Sequence, residues 1–204
     1  MNLVKLPLVD FESNDKISGR DWIKYSISVW DDKKSTEERS LGHPALFPVS
    51  LVSKLIKIYT RCNETVLDPF AGVGSTLVSA AQLNRRSVGF ELSGEFSSIA
   101  QERLKNFTVY TKLFNESSFN MKKFIPKNSI DFCITSPPYW DILNRKRTAD
   151  YKDTKNYGDS KEDLGNISDY SEFLSKLSII LKQVFDCLKS NKHCVLVVMD
   201  IRKK

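Results

Sequence analysis

The stretch "TVLDPFAGVGSTLVSAAQL" (65–83) joins a short apolar run, a glycine turn and an alanine-containing run. "TVLD" (65–68) has the composition of a buried strand, and "STLVSAAQL" (75–83) has the composition of a helix. Between them, Gly72 and Gly74 let the backbone approach a ligand closely. The stretch therefore predicts a strand, a turn at which a ligand can bind, and a helix whose first N–H groups face that turn.

The residues around the turn indicate which ligand it suits. A G-x-G turn alone fits a dinucleotide site, or a tight turn without a ligand, about equally well. Asp68 ends the strand, and a carboxylate there repels a pyrophosphate but attracts an ammonium or sulfonium group. The third glycine of the dinucleotide fingerprint is also absent. The turn therefore favours a cationic ligand group.

Strands and helices alternate along the rest of the chain. Further strands are predicted at "SVGFEL" (87–92), "VYTKLF" (109–114), "SIDFCIT" (129–135) and "HCVLVVMD" (193–200). Further helices are predicted at 48–60, which starts with a proline, at 93–104, which a serine caps, and at 169–188. This alternation predicts an α/β fold, a parallel sheet with helices on both faces.

The beginning of the chain is harder to interpret. "WIKYSISVW" (22–30) alternates in a way that fits a short strand, and "DDKKSTEER" (31–39) fits a solvated loop or a short helix. We therefore divide the chain into an irregular N-terminal extension, residues 1–42, and one main domain, residues 43–204.

Composition limits the function only broadly. The 204 residues suffice for one domain of ordinary size, and the net charge of +6 permits a polyanionic partner, although scattered lysines also fit a solvated basic surface. No apolar stretch reaches membrane-spanning length and the first residues do not resemble a signal peptide, so we predict a cytoplasmic protein without a membrane partner. The four cysteines show no CxxC spacing and there are two histidines, so no metal site is predicted.

Two further sets of polar residues follow strands, where ligands bind in parallel sheets. Glu91, with Leu92 behind it, closes the second strand nineteen residues after Gly72. An acidic residue at that place commonly accepts the ribose hydroxyls of an adenosine group. The third set is "TSPPYW" (135–140) after the fourth strand, where two prolines impose a stiff extended edge with outward carbonyls. Such an edge suits a flat ligand that carries an amino group.

With these residues in this order, the chain resembles the S-adenosylmethionine-dependent DNA amino-methyltransferases. "DPFAGVGST" (68–76) resembles their cofactor motif, "TSPPYW" their catalytic motif, and "HPALFPVSL" (43–51) the segment that precedes the cofactor motif. The resemblance extends from about Trp22 to Arg202. It implies a Rossmann-like methyltransferase fold, which normally has seven strands, so the chain looks truncated after its fifth strand. The motif order is that of the gamma-like group, whereas "HPALFP" resembles the beta group.

The resemblance also assigns roles to residues. It implies that Glu91 holds the ribose, that Leu92 also binds the cofactor, and that Glu116 receives the adenine amino group of S-adenosylmethionine, while Asn115 departs from the family pattern. The segment around His43 would pack against the methionine end, although Phe47 and Pro48 also fit a simple hydrophobic lead into their helix. The residues implied to line the methionine portion or to open the helix behind it are Asp68, Pro69, Phe70, Gly72, Gly74, Ser75 and Thr76.

For catalysis, the resemblance points to Ser136, Pro137, Pro138 and Tyr139. The Ser136 hydroxyl and the Pro137 carbonyl would accept the two N–H bonds of a base amino group. The base must leave the DNA duplex, and Tyr139 is the expected stacking platform, with Trp140 as a second wall or a core residue. No catalytic cysteine is required. Serine at the first motif position favours the N4 amino group of cytosine over the N6 amino group of adenine.

Other functions remain open at this stage. The main alternative is an RNA methyltransferase such as a tRNA-modifying enzyme, and the other is an inactive or partner-dependent fragment that binds nucleic acid. We expect a DNA partner, activity in restriction-modification, and either self-association through the exposed fifth strand or a complementing C-terminal chain. The long polar loop 141–167 is predicted to be mobile without DNA and to help hold it, or to be an ordinary solvated excursion.

Overall fold

Five strands form one parallel sheet within the part of the chain that the computed structural model describes, residues 17–43, 46–140 and 162–198. They are, in chain order, β1 (Thr65–Asp68), β2 (Arg86–Phe90), β3 (Thr111–Phe114), β4 (Ile130–Thr135) and β5 (Leu188–Leu196). Across the sheet their order is β3-β2-β1-β4-β5, and each neighbouring pair is parallel. From β1 the chain adds β2 and β3 on one side of the sheet and then β4 and β5 on the other side. The loops after β1 and β4 therefore flank the switch point at which such sheets bind ligands.

The described helices cover the sheet. The α-helices are α1 (Gly19–Tyr25), α2 (Thr36–Ser40), α3 (Val49–Tyr59), α4 (Ser75–Gln82), α5 (Gly94–Leu104) and α6 (Tyr170–Cys187), and the 3₁₀ helices are η1 (Ser118–Lys123) and η2 (Leu164–Asn166). Ser93 caps α5 and Asp169 caps α6, each accepting a backbone N–H of the first turn. The α/β prediction is confirmed, and α3 to α6 and β1 to β4 lie within two residues of their predicted bounds.

The core lies on both faces of the sheet. Along β1, Val66 packs on one face with α3 and α4, whereas Leu67 packs on the other face with α6 and η1. Phe132 and Cys133 alternate in the same way along β4. Because both faces are covered, every residue of β1 and β4 is buried, which explains why these strands are apolar over most of their length.

The fifth strand differs from its prediction. It begins at Leu188, directly after α6, five residues before the predicted start at 193. Leu188 pairs with Ile130 and His193 pairs with Phe132, so the residues between bulge out, with Asn191 at a φ of 60°. Because the residues of this bulge are polar, a hydrophobicity pattern does not predict this part of the strand. Within the described sheet β5 lies at an edge.

The N-terminal region also differs. The strand considered for 22–30 is wrong, because residues 19–25 form α1, capped by Ser18, and the residues after it are irregular. The alternation is therefore accidental. In 31–39 the short-helix alternative is confirmed by α2, whose N-cap Ser35 and Glu38 form a capping box. Glu38 is buried, and its second oxygen accepts the N–H of Val49 at 2.7 Å, which joins this region to the start of α3.

Candidate active site at the carboxyl ends of the strands

A cleft of about 880 Å³, counted with its open mouth, lies at the carboxyl edge of the sheet. The residues that follow β1, β2, β3 and β4 form most of its wall. The predicted site residues on this wall are Phe47, Pro69, Phe70, Gly72, Ser75, Glu91, Leu92, Ser136, Pro137, Pro138 and Tyr139. The structure therefore brings together residues that are up to 92 positions apart, from 47 to 139. Pro48, Asp68, Gly74, Thr76 and Glu116 are not among the residues that line it.

The glycine turn has a conformation that only glycine adopts easily. Gly72 and Gly74 have φ values of 53° and 82°, and Gly74 is the N-cap of α4. A Cβ atom on Gly72 would stand 2.7 Å from Nε2 of His43, and one on Gly74 would stand 3.0 Å from Cβ of Ala100. Both glycines are thus required by close packing, and the imidazole of His43 closes one side of the turn.

Glu91 connects the end of β2 to the glycine turn. One carboxylate oxygen accepts the N–H of Gly72 at 2.8 Å, and the other accepts the N–H of Ser93 at 2.7 Å. Burial raises the pKa of Glu91 to about 7, the two N–H bonds oppose this, and the nearby carboxylates of Asp68 and Asp163 raise it further. The two bonds orient the carboxylate, and its remaining lone pairs are available to a ligand.

Asp68 is buried beneath the cleft, with 1% of its surface exposed. Its Oδ1 accepts the hydroxyl of Thr135 at 2.6 Å and the N–H of Phe70 at 3.0 Å. Its Oδ2 has no hydrogen-bond partner among the described residues. Burial raises the pKa of Asp68 to about 6, although hydrogen-bonding groups of Thr135, Thr76 and Phe70 oppose that shift. Asp68 therefore supports the turn from below.

The predicted catalytic motif forms the opposite wall. Oγ of Ser136 lies 2.6 Å from the hydroxyl oxygen of Tyr139, which lies 3.4 Å from the carbonyl oxygen of Val197, just beyond β5. Trp140 packs against the core cluster, and its ring makes an edge contact with Tyr170 at 5.2 Å. Of the two interpretations of Trp140, the structure supports the core residue.

Glu116 is not among the residues that line the cleft. Its Oε1 accepts the N–H of Ser117 at 3.1 Å and Nδ2 of Asn120 at 3.0 Å, so it stabilises η1. The neighbouring Asn115, which departs from the family pattern, donates from Nδ2 to the carbonyls of Glu91 and Leu92 at 2.9 and 3.1 Å. Asn115 thereby ties the end of β3 to the end of β2, a contact for which the sequence carries no local signal.

Several wall residues were missed by the sequence-based prediction. They are Leu46, Ala71, Val73, Phe90, Ser117, Ser118, Phe119, Glu162, Asp163, Leu164 and Ile180, together with His43, for which only packing was expected. The pKa of His43 is lowered to about 4 by burial and by nearby Lys34, so its imidazole is neutral at pH 7. The residues at the start of η1 and those shortly before α6 reach the cleft through tertiary packing, which hydrophobic periodicity does not predict. Most of the loop predicted to be mobile, residues 141–161, lies outside the described residues.

Two other classes of site are not found in the described ranges. None of the helices there is long and apolar enough to cross a membrane. Within the same ranges, no three His, Cys, Asp or Glu side chains are grouped so that they could hold a metal ion. Cys133 is buried in β4, and burial raises the pKa of its thiol.

The fold is similar to that of a solved structure. The chain superposes on the precorrin 8w decarboxylase of Methanobacterium thermoautotrophicum with a TM-score of 0.51 and 14% identity, over 82% of this chain and 69% of that one. At that identity the match concerns the fold alone. It agrees with the Rossmann-like α/β architecture described above.

The sequence is similar to DNA methylases over its first half. Residues 5–102, just under half of the chain, match the family model described as DNA methylase. The type II methyltransferase M.HindIII of Haemophilus influenzae is 41% identical over 106 residues, 45% of this chain and 34% of that protein. The putative methylase YubD of Escherichia coli is 47% identical over 85 residues, 42% of this chain and 36% of that protein. The resemblance to the DNA amino-methyltransferases is therefore confirmed, and the chain spans about a third of the length of these relatives.

Proposed function

We propose that this chain is the catalytic part of a DNA methyltransferase, which transfers a methyl group from S-adenosylmethionine to an exocyclic amino group of a flipped base. One observation carries the proposal. The glycine turn, Glu91 and the segment Ser136–Tyr139 line a single cleft at the switch point of the sheet. The family match and the relatives named type II methyltransferases support the same reaction, and a restriction-modification role with it.

The residues of the cleft fit this cofactor. Gly72 lets the turn pack directly against the imidazole of His43, since a Cβ atom there would stand 2.7 Å from its Nε2, and both residues line the cleft. Glu91 would accept the ribose hydroxyls through lone pairs that its bonds to Gly72 and Ser93 leave unused. Asp68 adds negative charge beneath the turn, which attracts a sulfonium or ammonium group. When bound, S-adenosylmethionine supplies an electrophilic methyl group.

The hydroxyls of the catalytic motif can form a directed chain. If the Tyr139 hydroxyl donates a hydrogen bond to the carbonyl of Val197, 3.4 Å away, Ser136 donates to the Tyr139 oxygen at 2.6 Å. The lone pairs of Ser136 then remain available to accept an N–H from the base. In that arrangement the base meets an acceptor at Ser136.

Acceptors on the amino group supply the catalytic effect. An exocyclic amino nitrogen shares its lone pair with the ring and is a poor nucleophile. If Ser136 Oγ and the Pro137 carbonyl each accept one N–H, they draw the nitrogen towards tetrahedral geometry and stabilise the positive charge that develops on it. The prolines help because they keep this edge stiff and extended.

We also propose which base is preferred. Serine at position 136 favours the N4 amino group of cytosine, with the N6 amino group of adenine as the alternative. The target must leave the duplex, which costs a few kcal/mol, and stacking on the ring of Tyr139 would return about 1–3 kcal/mol. The net charge of +6 is favourable for a DNA partner.

Methyl transfer from tritium-labelled S-adenosylmethionine tests the proposal. We would incubate the chain with mixed-sequence DNA or RNA, digest the nucleic acid and identify the labelled nucleoside. N4-methylcytosine in DNA is expected. The key variant is Ser136→Ala, and Ser98→Ala is its matched control because the Ser98 hydroxyl, on the exposed side of α5, donates to the carbonyl of Gly94 within its own helix. Loss of one transition-state hydrogen bond should lower the rate at least tenfold in the first variant alone.

The other outcomes separate the alternatives. N6-methyladenine in DNA would move the target to adenine, and label in RNA alone would favour the RNA methyltransferase. Cofactor binding without transfer would favour a fragment that depends on a partner. Absence of cofactor binding would contradict the proposal as a whole.

We also propose that β5 mediates self-association or pairing with a complementing chain. It lies at an edge of the described sheet, and Leu196 and Val198 near its end are 38% and 68% exposed. Light scattering of wild type and Val198→Lys tests this, with a monomeric wild type as the contradicting result. The variant should shift the protein towards the monomer because a charge disfavours edge pairing.

A further inference from the structure

Cys133 and Cys194 are neighbours across the strands β4 and β5. The two strands are parallel, and in their register Cys133 stands directly opposite Cys194. Residues in register on adjacent strands point to the same face of the sheet, so both side chains lie on the face against which α6 packs. The proposed methyl transfer uses neither thiol. The function of the cleft therefore does not explain the pair.

The spacing of the two strands suits a disulfide. Adjacent strands lie about 4.7–4.9 Å apart, and the Cα atoms that a disulfide joins lie about 4.4–6.8 Å apart. The two thiols are also hydrogen-bonded to each other, so their sulfur atoms already face one another. Both are free thiols in the structure, and a disulfide would bring the sulfur atoms together to about 2 Å.

The two thiols differ in their access to solvent and in their reactivity. Cys194 is exposed, whereas Cys133 is fully buried. The hydrogen bond with Cys133 lowers the pKa of the Cys194 thiol, although desolvation and the charge of Asp68 oppose that shift. Burial raises the pKa of the Cys133 thiol. An oxidant from solvent therefore reacts first with Cys194, and Cys133 is placed to react second.

The other two cysteines have different surroundings. Cys187, at the end of α6, is buried, and burial raises the pKa of its thiol to about 11, with the charge of Asp186 adding to the shift. Cys62 precedes β1, and its Sγ accepts a hydrogen bond from Nη1 of Arg85 at 3.6 Å. Neither is in register with another cysteine. Both therefore serve as internal controls.

Both members of the pair lead directly into the catalytic wall of the cleft. Ser136 is three residues after Cys133, and Val197 is three residues after Cys194. The hydroxyl oxygen of Tyr139 lies 2.6 Å from Oγ of Ser136 and 3.4 Å from the carbonyl oxygen of Val197. A bond that draws β4 and β5 together would displace these two groups relative to each other. A displacement of about 1 Å at a reacting centre can lower a rate about a hundredfold.

We propose that Cys133 and Cys194 form a reversible disulfide when a peroxide is the oxidant, and that this bond slows methyl transfer by displacing Ser136 and Tyr139. The effect on methyl transfer rests on the proposed function, whereas the formation of the disulfide does not. The pair is then a redox modification site next to the catalytic segment.

The oxidation takes two steps. The Cys194 thiolate attacks one oxygen of hydrogen peroxide, so that an S–O bond forms, the O–O bond breaks, and the leaving hydroxide takes up the proton that Cys194 released. The Cys133 sulfur then attacks the sulfenic sulfur of Cys194, so that the S–S bond forms, the S–O bond breaks, and the hydroxyl leaves with the Cys133 proton as water. The two thiols lose two electrons in total, and the peroxide gains them. A dithiol reverses the change by exchange.

Peptide mapping after peroxide treatment tests the bond. Once the remaining thiols are blocked with iodoacetamide, trypsin leaves each cysteine on a peptide of its own, namely 62–85, 128–145, 183–189 and 193–202. The wild type should yield 128–145 joined to 193–202, with a mass two hydrogens below the sum of the two peptides. Dithiothreitol should separate them.

Methyl transfer from tritium-labelled S-adenosylmethionine measures the consequence. The oxidised wild type should react at least tenfold more slowly than the reduced protein, and dithiothreitol should restore the rate. Cys194→Ser should match the reduced wild type and keep its rate in peroxide, because the sulfur that attacks first is missing. Cys194 is exposed, so this variant should fold. Cys62→Ser and Cys187→Ser are the matched controls and should respond to peroxide as the wild type does.

Each remaining outcome overturns part of the inference. A different pair of joined peptides, or none, would overturn the disulfide. Joined peptides with an unchanged rate would overturn its effect on catalysis, and equal loss of activity in oxidised Cys194→Ser would assign that loss to another residue. If the reduced wild type transfers no methyl group, the proposed function is overturned, and the peptide map alone still decides whether the disulfide forms.

Discussion

Two buried aspartates stand at opposite ends of the neighbouring strands β1 and β4 and have different surroundings. Asp131, near the start of β4, is 2% exposed. Its Oδ2 accepts the N–H of Thr65 at 3.0 Å, and its Oδ1 lies 2.7 Å from Nζ of Lys189 and 3.4 Å from Nζ of Lys192. Both oxygens are therefore satisfied, and two cations face the charge.

Asp68, at the end of β1, is equally buried but has no ion pair among the described residues. One of its oxygens is without a hydrogen-bond partner there, and the same is true of Asp163 across the cleft. The amino end of the sheet thus uses a carboxylate to stabilise the fold. At the carboxyl end, one oxygen of each of these carboxylates has no partner among the described residues. This destabilises the protein without its ligand and leaves acceptors for a ligand.

The largest expected effect is on the amino end of the sheet, where Asp131 is paired with lysines. Asp131→Asn should destabilise the protein by about 3 kcal/mol, the low end for a broken buried pair because Lys189 and Lys192 reach solvent. Asp68→Asn should change the stability by less than about 1 kcal/mol, since the amide oxygen still accepts the Thr135 and Phe70 donors. Urea unfolding with a constant m-value measures both. Equal losses would show that the two ends do not differ.

The next largest effect concerns the carboxyl end of the sheet. Glu91→Gln should weaken cofactor binding about tenfold to a hundredfold, because hydrogen bonds to a charged acceptor contribute about 1.5–3 kcal/mol and an amide has one oxygen for two backbone donors. Titration with S-adenosylhomocysteine measures it. The control is Glu95→Gln, an exposed acid in the first turn of α5. Unchanged affinity in Glu91→Gln would contradict the assignment.

The pH dependence should distinguish the two ends further. The pKa of Glu91 is raised from 4.5 to about 7 in the folded state, so the folded protein binds its proton more tightly than the unfolded chain does. The corresponding stability is fully present below pH 4.5 and is lost as the pH rises through about 7. Wild type should therefore lose stability relative to Glu91→Gln across this range, while its cofactor affinity increases. A flat difference between the two proteins would contradict the raised pKa.

The smallest expected effect comes from removing one of the two cations at the amino end of the sheet. The side chain of Lys189 is 43% exposed, and Lys192 remains beside Asp131 when it is removed. Lys189→Gln should therefore cost only about 0.5 kcal/mol, typical of a partly exposed ion pair. At about 1 M salt the difference from wild type should nearly vanish because the charges are screened. A loss above 2 kcal/mol would mean that Lys189 alone neutralises Asp131.

Much of the fold was predictable because its signals are local. The helix caps Ser93 and Asp169, the glycines of the turn and the prolines of "TSPPYW" act within a few residues of their own positions. The start of β5 was not predictable in this way, because it begins in polar residues that pair with β4 through a bulge. The sequence placed three polar sets after strands, and a parallel sheet necessarily carries such residues to one edge.

The sequence by itself therefore determined the strand and helix order, the glycine turn and the chemical types of Glu91 and Ser136, since periodicity, φ preferences and side-chain chemistry belong to single residues and short segments. The tertiary structure alone decided which acids face the cleft. Glu116 turns to its own helix and Asp163, 47 residues later, lines the wall, because the packing of η1 and η2 against α6 orients both. The direction of a side chain depends on contacts between distant segments, and no short stretch of sequence contains them.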